Sequence, residues 1–251
     1  MDQFRRCSLL WVSNPDDAQT PKACGATVLP NIPYDFVRDG DPQPVGPPGA
    51  SQTILTVATV SHPQNREGID RFFSRSWPAI HAARPRAVWR IVGSGMTPQL
   101  RARWEARPGV QAPGFVHDLL EEYSRCAFSV APLWAGGGTS IKVLESLAFG
   151  RTCLVTPAGH RGFAQTLPAG QAIVVAPDES SLAAEAISLL DDPQRRERFA
   201  SAGRDALRAH YSRERFDRIV EESLRPLFTR APVALRPAPG RPPAPSAGSS
   251  A

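Results

Sequence analysis

The chain has 251 residues, 29 basic and 24 acidic, for a net charge of +5, with 41% hydrophobic and 21% charged residues. That balance excludes wholesale disorder, a coiled coil and a collagen-like repeat, and the length suits one large domain, or one and a half small ones, around a packed core. No apolar run reaches the roughly 18 residues of a membrane span, and the N-terminal MDQFRRCSLLWVSNPDD has too short an apolar core for a secretory signal, so a cytoplasmic location is expected.

In chain order, residues 8–12 and 26–29 read as two isolated strands separated by a polar turn at 13–17. A strand pair this small is not stable alone and needs a sheet to join. Residues 30–48 then hold six prolines and little apolar content, so 30–51 reads as a linker and 1–29 as the remnant of a preceding domain. From residue 52 to 228, short apolar runs alternate with amphipathic stretches, the pattern of βαβ units around a parallel sheet. Strands are expected at 53–58, 87–92, near Val110, 128–131, 152–156 and 172–175. Helices are expected at 68–83, 98–106, 118–126, 139–149 and 181–190, with two more, 194–210 and 213–228, closing the body. This describes an α/β fold: a single Rossmann-like, doubly wound parallel sheet with C-terminal helices. Residues 229–251, again with six prolines, cannot bury enough apolar surface to offset chain entropy and read as a disordered tail.

The segment 230–251 carries three arginines and no acid, and without it the net charge is only +2. No basic stripe with interleaved aromatics is visible, so nucleic acid is not an expected partner. Cys7, Cys24, Cys126 and Cys153 form no CxxC pair and have no histidine at zinc spacing. Reduced, half-buried thiols and no metal are expected.

The most informative stretch is FSVAPLWAGGGTSIKVLESLAFG, residues 128–150, in which a buried strand runs into Gly136, Gly137 and Gly138 and Thr139 opens a helix. In open α/β sheets ligands bind beyond the carboxyl ends of the strands, where glycines admit close backbone approach and helix-start amides face outward to hold an anion. A plain tight turn is the alternative reading of the three glycines. On the helix, Ile141, Leu144, Leu147 and Ala148 share the apolar face, while Lys142 and Glu145 share the polar one. Lys142 lies in the first turn, where the helix dipole disfavours a cation by about 0.3 to 1 kcal/mol, unless an anion is near. Only Lys22 and Lys142 among the basic residues are lysine, so a generic cation in this chain would be arginine. Glu145, about 9 Å along the axis from Thr139, is at a distance suited to the ribose hydroxyls of a nucleotide whose phosphates rest on the loop. An i, i+3 surface ion pair between the two remains the alternative.

The run PLWAGGGTSIKVLESLAFGRTCLVTPAGHRG, residues 132–162, resembles the donor-binding signature of retaining GT-B glycosyltransferases of group 1, also called family 4. The likeness extends to TVATVSHPQNREGIDRFF with its asparagine, to WRIVGSG, to GVQAPGFVHDLLEEY, and to WVSNPDD and TVLPNIPYD at the end of that family's N-terminal domain. The resemblance implies a nucleotide-diphosphate sugar as donor substrate, with no cofactor and no obligatory metal. The matching donor-binding positions are Gly136, Gly137, Gly138, Thr139, Ser140, Lys142 and Glu145, with Gly93, Gly95 and the backbone around Val116 nearby. Lys142 and Glu145 are the residues expected to carry the chemistry. The acceptor, a saccharide, a lipid-linked sugar or a small molecule, is not implied.

The sequence also departs from the pattern. Gly137 replaces a glutamate common eight residues before the helix glutamate, and the basic residue after the first strand is not evident around Ser61 and His62 unless Arg66 substitutes. Most of the N-terminal, acceptor-side domain is absent, so a partner chain or missing domain is implied. The alternative is a non-catalytic, truncated or split half-enzyme that binds nucleotide sugar or a partner protein, and a nucleotide-sugar epimerase on the same fold is weaker still. Peripheral attachment to the inner face of a membrane stays open. Elsewhere, His62, His117 and His160 read as surface or hydrogen-bonded histidines on the ligand side. Asp118 and Glu121 read as helix-start acids, Ser140 and Ser146 have no histidine at hydrolase spacing, and Arg195, Arg196, Glu197 and Arg198 read as a solvated helix face.

Overall fold

A computed structural model describes residues 7–19, 25–33, 44–47, 49–136 and 138–229. Linker residues 34–43 and 48, the expected tail from 230 onward, Cys24 and Gly137 lie outside them. The described residues include eight strands: β1 (Trp11–Val12), β2 (Thr27–Val28), β3 (Thr53–Val57), β4 (Val88–Val92), β5 (Val110–Gly114), β6 (Phe128–Ala131), β7 (Cys153–Val155) and β8 (Val174–Val175). The last six form one parallel sheet in the order β5-β4-β3-β6-β7-β8, as the alternating apolar runs predict. Both faces are covered, so consecutive residues bury on opposite sides: Ile54 packs with Phe72, Trp77, Trp89 and Trp104, whereas Leu55 packs with Val92, Tyr123 and Phe149. Trp89 is fixed within the first layer by an edge-on contact with Phe72, 4.7 Å between centroids, and by a hydrogen bond to Thr56 Oγ1 at 2.9 Å.

The first helical segment differs from expectation. It begins at Pro63, which pre-sets helical φ at the N-terminus, so α1 (Pro15–Ala18) is followed by α2 (Pro63–Arg71) where only residues 68–83 are expected to be helical. A π turn at Phe72–Ser76 leads into α3 (Trp77–Ala83), with the Trp77 amide bonded to the Phe72 carbonyl. Pro78 has no N–H to give and crowds the preceding turn, and the wider turn accommodates it. The remaining helices are α4 (Pro98–Glu105), α5 (Leu119–Arg125), α6 (Ile141–Ala148), α7 (Pro157–His160), α8 (Glu179–Asp191), α9 (Pro193–Tyr211) and α10 (Arg213–Thr229).

The two N-terminal strands are not isolated. They pair with each other in parallel, Trp11 opposite Thr27, because the expected polar turn is the short helix α1, capped by Asn14 accepting from the Asp17 amide at 2.9 Å. Instead of joining the large sheet, this unit rests on the body through side chains: Trp11 Nε1 donates to Ser223 Oγ of α10, and Arg161 Nη2 donates to Asp17 at 3.1 Å.

Two further expectations are corrected. Arg196 is buried, 3% exposed, because its guanidinium caps the C-terminal carbonyls of α8, donating to Leu189 O and Leu190 O, and also reaches Gly49 O. Arg195 pairs with Glu185 at 2.6 Å, so the face is only partly solvated. Cys126 and Cys153 are fully rather than half buried, and burial pushes both thiols up to about 12, leaving them unreactive. Among the described residues, no helix is long and apolar enough to cross a membrane.

Candidate functional site

Strands β3 and β6 are neighbours in the sheet, and the chain departs from them toward opposite edges, to β4 and to β7. The loops beyond their carboxyl ends therefore diverge and leave a crevice. A cleft of about 480 Å³ lies there, lined by Ala58 and Thr59 after β3, Gly93 and Ser94 after β4, Val116 after β5, and the glycine loop and first turns of α6 after β6.

The glycine loop is anchored at several points. Trp134 at its start lies beneath the Arg71 guanidinium, 3.8 Å from the ring centroid. Gly136 and Gly138 have φ of +138° and +71°, which turn the chain back over the strand end and which residues with a Cβ rarely adopt. Arg161, held by Asp17, donates to the Gly136 carbonyl at 3.2 Å, and Asn31 Nδ2 donates to Thr139 Oγ1 at 2.8 Å.

The helix begins at Ile141 rather than Thr139, with Ser140 as an extended N-cap whose side chain caps nothing. Its hydroxyl oxygen is buried without a hydrogen-bond partner among the described residues; the Val143 amide donates to the Ser140 carbonyl at 3.0 Å, while the Ile141 and Lys142 amides, at the first two helical positions, have no intrahelical acceptor. Donors converge here at the positive end of a helix and lack an acceptor. Within the helix, Val143, Leu144, Leu147 and Ala148 are buried. Ile141, expected on that apolar face, is instead 39% exposed and lines the cleft, because it stands at the first helical position, at the cleft end of the helix. Ser146 is buried and bonded to Ser129 Oγ at 2.6 Å and Arg151 O at 3.0 Å, a structural serine.

Lys142 and Glu145 both line the cleft. The Lys142 ammonium donates to Asn65 Oδ1 of α2 at 2.5 Å. Burial lowers its pKa from the ordinary lysine range to about 8, opposed in part by the nearby Cys153 and Glu145. Glu145 lies about 6 Å along the axis from the first helical residue, Ile141. Gly136, Gly138, Thr139, Ser140, Gly93 and Val116 line the same cleft. Gly95 does not; a Cβ there would meet the Ser61 amide nitrogen at 2.7 Å, so it serves loop packing.

Of the histidines, His62 lines the cleft, His160 Nε2 is tied to Leu167 O at 2.7 Å, and His117 stands edge-on to Phe115. Asp118 caps α5 by accepting from the Leu120 and Glu121 amides, the expected helix-start role. Arg66 lies outside the cleft, in a separate groove with Glu67, Asp70 and Arg103, and does not substitute for the basic residue after β3. The local sequence does not mark Asn65, Asn31 or Arg161 as site residues. Asn65 stands within the motif-bearing PQNREG segment, but its partner is 77 positions away, and nothing local marks Asn31 or Arg161 as a loop anchor.

With its pKa near 8, Lys142 loses its proton within an accessible pH range. Its folded value lies below the unfolded one, so the unfolded chain binds more protons between about pH 8 and 10.5 and apoprotein stability should rise with pH across that window. Urea unfolding of wild type and Lys142→Met at several pH values checks this; the rise should be lost in the variant.

A parallel six-stranded sheet of this order, with a glycine turn and a helix start without a side-chain cap at its switch point, defines a doubly wound Rossmann-like domain with a cleft beyond the strand ends. The sequence model of the family described as glycosyl transferases group 1 matches residues 51–192, more than half of the chain, and the protein belongs to that family. Solved structures of similar fold include sucrose-phosphate synthase from Thermosynechococcus elongatus, at 18% identity and TM-score 0.70, matched over 90% of this chain and 59% of that one. Anabaena Alr3699/HepE in complex with UDP matches at 16% identity and TM-score 0.70, over 88% of this chain and 65% of that one. TarM matches at 14% identity and TM-score 0.62, over 72% and 36%. The chain thus spans between about a third and two-thirds of the length of these structures and corresponds to the C-terminal half of a GT-B fold. No curated protein sequence matches it.

Proposed function

We propose that the cleft binds a nucleoside-diphosphate sugar and that the chain is the donor-binding half of a retaining glycosyltransferase moving a hexosyl group to an acceptor. The observation that carries this reading is the junction at Ser140: the first two helix amides, an unpartnered buried hydroxyl and the Lys142 ammonium, on residues that line one cleft. A diphosphate satisfies all three, and Glu145 one turn further on is placed to accept from a ribose diol. Val116 and the exposed Phe115 supply an apolar wall for a base. As the glycosidic bond breaks, charge grows on the leaving diphosphate, and donors already aimed at it favour that state over the ground state. The residues need no cofactor for this. An acceptor, saccharide, lipid-linked or small, would approach from the side of a further domain or partner chain. The expected location is the cytoplasm, with peripheral membrane attachment as an option.

Calorimetric titration of the chain with UDP and GDP tests the reading: one of them should bind, with little or no sugar transfer by the chain alone. Failure of both to bind would end it. A second reading is a non-catalytic, truncated or split half-enzyme that binds nucleotide sugar or a partner protein; a GtfA/B complex is among the structures of similar fold, at 16% identity and TM-score 0.67. Recovery of transfer on adding a candidate acceptor-side chain, with co-elution on size exclusion, distinguishes the two.

A further inference from the structure

The glycine loop is held in part by residues that lie outside the cleft. None of the described residues of the N-terminal unit, β1, α1 and β2 with Asn31 after it, lines the cleft, yet this unit is joined to the loop at both ends. Asn14, the N-cap of α1, is fully buried. A Cβ on Gly162 would stand 2.8 Å from Asn14 Cβ and 3.1 Å from Thr139 Cγ2, so the turn after α7 is packed against α1 and against the end of the glycine loop together. The neighbouring Arg161 spans the same junction: its guanidinium donates to Asp17 at 3.1 Å, lies 3.8 Å from Asp16 and donates to the Gly136 carbonyl at 3.2 Å. The Gly162 amide donates to Asp16 at 3.2 Å, and Asn14 Nδ2 to Asp17 at 2.7 Å, which fixes both carboxylates. At the far end of the loop Asn31 Nδ2 donates to Thr139 Oγ1 at 2.8 Å.

An exposed ion pair taken alone contributes little. Here the buried Asn14 contact fixes the spacing, and Arg161 bridges a carboxylate and a loop carbonyl across it. The loop needs such support, because Gly136 and Gly138, at φ of +138° and +71°, have no side chain to restrict them. A loop ordered only when the anion arrives subtracts the ordering cost from affinity, whereas a loop already braced does not. We propose that the N-terminal unit is a positioning element of the donor site, with Arg161 and Asn31 as the positioning residues that set the glycine loop for the diphosphate. This rests on the reading of the cleft as a nucleoside-diphosphate site and adds a regulation to it: donor affinity depends on the seating of α1. Linkage makes the dependence mutual, so a bound diphosphate seats α1 more firmly and couples the donor loop to the segment read from the sequence as the end of a preceding domain.

The test is calorimetric titration of the full chain with UDP, GDP and inorganic pyrophosphate, beside hydrogen exchange of the backbone amides of residues 138–142. Arg161→Met should weaken the nucleotide that binds wild type about fivefold or more, weaken pyrophosphate equally, and speed exchange in the loop while the amides of β3 and β6 exchange as before. Arg161→Lys should recover part of the loss, because an ammonium can still meet the carboxylates. Asp17→Asn should weaken binding in the wild-type background but add little to Arg161→Met. Gly162→Ala should displace α1 and weaken binding about fivefold or more, whereas Gly170→Ala, also at positive φ but with nothing within 4 Å of its new carbon, should leave affinity unchanged. If a nucleotide binds wild type and binds Arg161→Met and Gly162→Ala equally well, the positioning role is overturned and the donor reading stands. Loss of affinity with unchanged loop exchange also overturns it. If neither nucleotide binds wild type, the donor reading falls and this inference falls with it.

Discussion

Lys142→Ala is expected to weaken UDP or GDP binding by about ten- to a hundredfold, the worth of one charge-assisted hydrogen bond to a phosphate in a partly buried setting. The ammonium is already desolvated and tied to Asn65, so no reorganisation is needed before it meets an anion. Glu145→Ala should also weaken the nucleotide, by about tenfold, but should leave inorganic pyrophosphate unaffected, because a ribose contact is not made by pyrophosphate. Lys142→Ala should weaken both. Calorimetry on the four combinations separates a diphosphate clamp from a nonspecific basic spot, and equal affinities across wild type and both variants would remove these residues from the site. The pH profile adds a second signature. Affinity should fall as pH rises through about 8, where Lys142 loses its proton, and Glu145→Ala should move that fall to lower pH, since the carboxylate, with Cys153, is one of the groups that raise the lysine pKa against burial.

Gly93→Ala is expected to be the most destabilising small substitution in the sheet. Gly93 has φ of +139°, and a Cβ would stand 1.8 Å from the Ala58 carbonyl oxygen, a main-chain atom that cannot swing aside. The same residue donates its amide to Gly114 O at 2.8 Å, so relieving the clash would part β4 from the ends of both β3 and β5. Strain and overpacking together should cost about 3 to 5 kcal/mol. Gly170→Ala is the matched control: φ is +75° with nothing within 4 Å of the added carbon, so only the backbone preference is lost, about 1 kcal/mol. Urea unfolding of the pair decides it, and equal costs would mean that the close approach to Ala58 is not real. Because Gly93 also lines the cleft, nucleotide binding should fall in step with folded fraction.

Much of the fold was legible in the sequence, and the reason is local. A parallel sheet covered on both faces needs uninterrupted apolar strands, and TILTV, VWRIV and FSVA stand out against their polar flanks. The glycine loop and its helix were legible because their chemistry lies within ten consecutive residues. What was missed was long-range. Pairing of β1 with β2 in parallel depends on a short helix hidden in SNPDD, where the Asn14 cap and Pro15 look like an ordinary turn. Arg196 reads as solvated from its neighbours Arg195, Glu197 and Arg198, yet it is buried because the carbonyls ending α8 lie beneath it.

The candidate site divides along the same line. Which residues bear charge and which admit a bare backbone is written at residues 136–145, and that alone pointed to a strand-to-helix junction with glycines and one lysine as the candidate site. That Asn65 orients Lys142, that Arg161 and Asn31 brace the glycine loop, and that burial brings one ammonium near neutrality were decided only when distant segments met. Dihedral preference and periodicity act over a few residues and survive in the linear text, whereas desolvation and hydrogen-bond partnership depend on three-dimensional proximity, which the chain acquires only by folding.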